Sequence, residues 1–135
     1  RAEPSVCPQC GTVFANGRWA WSEAPEGAAS SICPACQRIA DDYPAGYVEL
    51  QGPFFEQRRE EILNLVNNEE KLEKGEHPLE RIMKVRPENG HTLITTTGVH
   101  MARRIGEAVV RAYQGDLTFT YGDDEKTVRV NWMSR

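Results

Sequence analysis

All four cysteines of the chain fall into two matching C-P-x-C knuckles, Cys7-Pro8-Gln9-Cys10 and Cys33-Pro34-Ala35-Cys36. Two cysteines separated by two residues supply two corners of a metal tetrahedron from one tight turn, and a second such turn completes it. Thiolate sulfur suits zinc, at a metal–ligand distance of about 2.3 Å. Gly11 follows the first knuckle, where a chain turning back on itself favours a residue without Cβ. The 22 residues between Cys10 and Cys33 are enough for a β-hairpin or a loop. The spacing C-x2-C-x22-C-x2-C therefore reads as one structural zinc ion held by Cys7, Cys10, Cys33 and Cys36. Two disulfides in a secreted protein are the competing reading, which nothing else in the sequence favours. A catalytic zinc fits less well, because four thiolates leave no position open for water.

Other enzymatic chemistry finds little support. The chain has three histidines, His77, His91 and His100, and none is paired in sequence with a nucleophile. No phosphate-cradling glycine loop of the G-x-x-x-x-G-K-S/T or G-x-G-x-x-G kind occurs. The expectation is a non-catalytic protein. The net charge of −4 does not mark a nucleic-acid binder, but acid dominates the first half and a mild basic excess lies in the second. Arg18, Arg38, Lys84, Arg86, Arg103, Arg104, Arg111 and Arg129 are the candidate phosphate contacts. RNA binding requires them to converge on one face, with flat side chains beside them for exposed bases. Arg103, Arg104 and Glu107 can instead pair along a helix.

The elements that must position these groups read as α+β. Residues 1–52 form a zinc-ribbon or treble-clef-like module. In it Thr12-Val13-Phe14 and Arg18-Trp19-Ala20-Trp21 make a short hairpin, and a short helix follows the second knuckle over 37–42. Trp19 and Trp21 are expected to pack over this small module or against its neighbour. Residues 44–50 read as an extended connector carrying Tyr47, and Gly52-Pro53 as a break. Residues 53–135 then form a long amphipathic helix from Phe54 to about Lys74, closed by Gly75, and a ββαββ antiparallel sheet domain. That helix places Phe55, Ile62, Leu65, Val66 and Leu72 on or near one stripe. Strands are expected over 81–86, 92–96, 117–121 and 128–132, with the Asn89-Gly90 turn joining the first pair. Between the two pairs lies a helix over 98–113, capped by Thr97. No apolar run approaches a membrane span, and two cysteine knuckles suit a reducing compartment, so the expected location is the cytoplasm.

The stretch Gly90-His91-Thr92-Leu93-Ile94-Thr95-Thr96-Thr97-Gly98-Val99-His100-Met101-Ala102-Arg103-Arg104-Ile105 is similar to part of the archaeal and eukaryotic large-subunit ribosomal export adaptor family, known for a role in nonsense-mediated decay. Over nearly its whole length the chain resembles a group of small bacterial four-cysteine zinc proteins of unassigned function. The shared features are Cys-Pro-x-Cys-Gly, Gly17-Arg18-Trp19, the run from Cys33 to Ile39, Pro44-Ala45-Gly46-Tyr47, His77-Pro78-Leu79 and Tyr113-Gln114-Gly115. The adaptor family carries more cysteine pairs, so its resemblance implies a ribosome-facing zinc and α/β module and not an export role. Structured RNA or the ribosome is thus the partner implied. A protein-interaction adaptor using the zinc module and the acidic helix is the alternative.

Overall fold

The computed structural model describes residues 1–135 as four helices and two sheets. The smaller sheet is built around the first knuckle. β1 (Ser5–Val6) pairs antiparallel with β2 (Val13–Ala15), which turns through Asn16-Gly17 into β3 (Arg18–Ala20). β4 (Ala29–Ser30) pairs parallel with β1 on the other side. The second knuckle runs straight into α1 (Pro34–Asp41), with Pro34 at its first position, where no backbone N–H is needed. This is the helix expected over 37–42, begun earlier.

Residues expected to be a connector form the strand β5 (Gly46–Gln51), and β5 is the middle strand of the larger sheet. Its burial alternates, with Val48 and Leu50 inward and Tyr47, Glu49 and Gln51 outward. The chain therefore enters the larger sheet before the Gly52-Pro53 break. The expected single long helix is two. α2 (Pro53–Gln57) ends at Arg58, whose φ of −118° and ψ of 28° are not helical, and α3 (Arg59–Glu76) continues in a new direction. α2 carries Phe55 under Trp132, ring edge to face at 6.4 Å. α3 runs through Gly75 and stops at His77, because a residue preceding proline avoids helical backbone. Leu72, expected on the apolar stripe, is 59% exposed. At that level α3 instead meets the next helix with Glu69 and Glu73.

β6 (Ile82–Glu88) and β7 (His91–Thr96) form the expected hairpin through Asn89-Gly90. α4 (Val99–Tyr113) follows, then β8 (Asp116–Tyr121), a single 3-10 turn at Asp123–Glu125, and β9 (Val128–Met133). The strand order is β6-β7-β5-β9-β8. β5 lies antiparallel to β7 but parallel to β9, so the sheet is mixed rather than antiparallel throughout. The reason is the extra strand from residues 46–51, which enters between the two hairpins. α2 and α4 pack on one face over Val48, Leu50, Ile94, Val128, Val130 and Trp132, with Met101, Ile105 and Val109 from α4. Gly106 brings α4 close. A Cβ there would lie 2.6 Å from Val130 and 2.9 Å from Leu117. The last residues close over β5, with the Ser134 amide donating to the Gln51 carbonyl and the Phe55 amide to Ser134 Oγ.

The opposite sheet face carries none of this core. Strand register sets its side chains in rows. Lys84, Thr95, Tyr47, Arg129 and Thr120 make the row nearest the cysteine module. Arg86, Leu93, Glu49, Asn131 and Thr118 make the next. A bulge between Ile82 and Lys84 sets this arrangement, since one extra residue turns Lys84 and Arg86 away from the helices.

Candidate metal centre

The four cysteine sulfurs lie within 4.8 Å of one another, and none of the cysteines is in a disulfide. Cys10 Sγ and Cys33 Sγ stand 3.8 Å apart. A tetrahedron with metal–sulfur bonds of about 2.3 Å has edges of about 3.8 Å. The donor set and spacing therefore fit one metal ion. Cys7, Cys33 and Cys36 are buried, and Cys10 is partly so. The second knuckle turns two amides towards sulfur: the Cys33 amide donates to Cys7 Sγ and the Cys36 amide to Cys33 Sγ, both at 3.3 Å. The second of these bonds caps α1, so its first turn belongs to the site. Trp19, Phe14, Ile32 and Ala35 enclose the cluster, and Leu79 reaches in from the segment between α3 and β6. Trp19 is thus the core residue expected. Trp21 turns outward, and its indole N–H donates to the Lys74 carbonyl at the end of α3 at 2.7 Å.

The residue that sequence reasoning missed is Arg81. Its guanidinium is buried against the sulfurs, donating through Nη1 to Cys36 Sγ at 3.2 Å and through Nη2 to Cys10 Sγ at 2.9 Å. Cys33 Sγ lies 3.6 Å from the same Nη2. Four thiolates around a divalent ion carry two net negative charges, and Arg81 offsets one. Nothing local marks this role, because Arg81 precedes an ordinary strand more than forty residues after the second knuckle. The environment also divides the thiols. Burial pushes the Cys10 thiol up, but hydrogen bonds from Thr12 and Arg81 outweigh it and bring it down to about 6. At Cys36 burial prevails over Arg81, and the thiol is pushed up to about 12. Burial also acts on Cys7, where the amides of Cys33, Cys10 and Gln9 outweigh it and leave the thiol below its ordinary value.

The candidate phosphate contacts separate into groups. Arg103, Arg104 and Arg111 lie on α4, on the helical side. Arg104 is matched by Glu69 at 2.9 Å and Glu73 at 3.1 Å, and Arg103 reaches Glu107 at 3.9 Å and stacks over Phe119. Arg18 lines a cavity of about 810 Å³ on the seam between the cysteine module and α3–α4, with Trp19, Glu73, His77, Glu80 and His100. Lys84, Arg86 and Arg129 share the open sheet face. Arg129 lies 4.3 Å over the Tyr47 ring, and Lys84 pairs with Asp42 at 3.1 Å. Arg38 on α1 stacks on Tyr43, which is 68% exposed, and donates to its carbonyl. Asp42 joins that pair to the open face. No helix is long and apolar enough to cross a membrane. No family model, curated protein or solved structure matches the chain.

Proposed function

We propose that this chain is a zinc-stabilised, non-catalytic RNA-binding protein of the cytoplasm, associated with the ribosome or another structured RNA. Its contact surface is the end of the open sheet face beside the metal module. The observation that carries this reading is the pairing of cations with rings there: Arg129 over Tyr47 and Arg38 over Tyr43, continued by Lys84 and Arg86. Cations serve phosphates, and flat rings serve unstacked bases. The α4 arginines contribute less, because Glu69, Glu73 and Glu107 already occupy two of them. Zinc folds the module and orients α1, and so Arg38 and Tyr43, against the sheet. With four thiolates as ligands it has no open position for chemistry.

The test is anisotropy of a labelled single-stranded RNA against the full chain over a salt series, with sedimentation of ribosomes before and after ribonuclease. The double variant Arg86→Glu with Arg129→Glu is expected to weaken binding at least about tenfold. It should also flatten the log–log salt slope by about 1.4, the loss of two single-strand phosphate contacts. No binding at low salt, together with a position at the top of the gradient in every growth phase, sinks the RNA reading. It would then favour a protein partner for this face.

A further inference from the structure

We propose that Arg81 is the positioning residue through which the metal centre holds the wall of the seam cavity and the start of α4. The inference rests on the metal reading above. Arg81 is only 6% exposed and every polar end of it is engaged. On one side its guanidinium is forked between Cys36 Sγ and Cys10 Sγ. On the other, Nε donates to the Pro78 carbonyl at 2.8 Å. Its backbone is clamped by Thr97: the Arg81 amide donates to Thr97 Oγ1 and the Thr97 amide to the Arg81 carbonyl. Thr97 Oγ1 in turn donates to the Leu79 carbonyl at 2.6 Å. Between the two clamps the chain presents Glu80, whose Oε1 accepts from the Met101 amide at 2.8 Å. That amide is one of the unpaired donors of the first turn of α4.

Glu80 and His100 are part of the seam cavity, so the wall and the helix start move together. The sulfurs gripping Arg81 come from two knuckles more than twenty residues apart. The β1–β4 pairing and the Cys33 amide bond to Cys7 Sγ bring the knuckles together, and a shared ion would fix the four sulfurs as a set. Loss of the ion frees the fork, then the 78–81 segment, then the carboxylate that caps α4. The cavity is therefore built to shape only in the metal-loaded protein.

The experiment measures amide hydrogen exchange in the full chain, comparing Met101 with Val130 in mid-sheet. The samples are the zinc-loaded wild type, the wild type stripped by a chelator, and zinc-loaded Arg81→Lys and Arg81→Met. Zinc release to a colorimetric chelator is followed in the loaded samples. Arg81→Met is expected to speed zinc release about 10-fold or more, as loss of an outer-shell partner does. It should speed Met101 exchange about tenfold with Val130 unchanged. Arg81→Lys, which keeps the charge but not the fork, should fall between. Stripping zinc from the wild type should reproduce the Met101 effect, which keeps the proposal testable should Arg81→Met fail to fold. Unchanged Met101 exchange in the stripped wild type overturns the coupling, as does equal acceleration of Val130. Zinc content of the wild type separates the failures: a chain that takes up no zinc sinks the metal reading and the coupling together, whereas a loaded chain with an indifferent Met101 sinks the coupling alone.

Discussion

Cys33 is fully buried, accepts from the Cys36 amide, faces Cys10 across 3.8 Å and lies within reach of Arg81. Serine there removes a corner of the tetrahedron and the soft cap of α1 together. Cys33→Ser is expected to lower zinc affinity by more than about 100-fold, beyond the usual effect of losing an outer-shell partner. Metal analysis of the purified protein should show zinc falling from one per chain towards none. Exchange protection in the larger sheet should persist, since its core contains no residue of the cysteine module. Glu80 supplies a pH test. Burial, the largest influence on it, raises its carboxyl above the ordinary value against the opposing Met101 amide. The folded chain then holds this proton at pH values where the unfolded chain has released it. Glu80's contribution to stability therefore falls as pH rises from the ordinary carboxylate range through its raised folded value. Glu80→Gln keeps an acceptor for Met101 and should remove that fall, read as a flatter urea midpoint against pH. The cysteine cluster was legible because C-x2-C is a local pattern that brings two sulfurs together in one tight turn. Arg81, Glu80 and Thr12 were not, because their roles depend on which distant segment they meet. Thr97 shows the same limit. It sits where a helix cap is expected, yet its hydroxyl serves Leu79 and Arg81, while Glu80 caps α4 from outside the helix.

Among the elements, both hairpins and α4 were readable from period-two and helical spacing. β5 was not, although Tyr47-Val48-Glu49-Leu50 alternates, because Pro44 and Gly46 before it resemble a linker. The break at Arg58 was hidden for a different reason. Residues 56–61 around it are all good helix formers, and the break accompanies the seating of Phe55 beneath Trp132. The bulge between Ile82 and Lys84 has no sequence mark at all, yet it decides which way two cations face. The closeness of α4 to the sheet rests on Gly106. Gly106→Val must push against Val130 and Leu117, and it is expected to destabilise the chain by about 1–3 kcal/mol in urea denaturation, the usual range for overpacking.

At the scale of the whole molecule, two cores meet at a seam crossed by Leu79, Arg81 and Trp21. The candidate cations of the larger sheet and α4 do not converge on one face: Lys84, Arg86 and Arg129 lie on the open side and Arg103, Arg104 and Arg111 on the helical side. That separation makes the RNA reading sharper: Arg103→Glu with Arg111→Glu should change affinity far less than Arg86→Glu with Arg129→Glu, although each pair alters net charge equally. The position of β5 has a further bearing, on the order of assembly. The small sheet pairs segments close in sequence and can form as soon as residues 1–42 exist. β5 comes next in the chain, but its neighbours are residues 91–96 and 128–133. During synthesis this strand waits with both edges bare until residues 91–96 are made and with one edge bare until β9 follows, the condition under which strands find wrong partners. β9 is the last strand to reach β5, so the middle of the larger sheet closes only when the chain's final strand is in place.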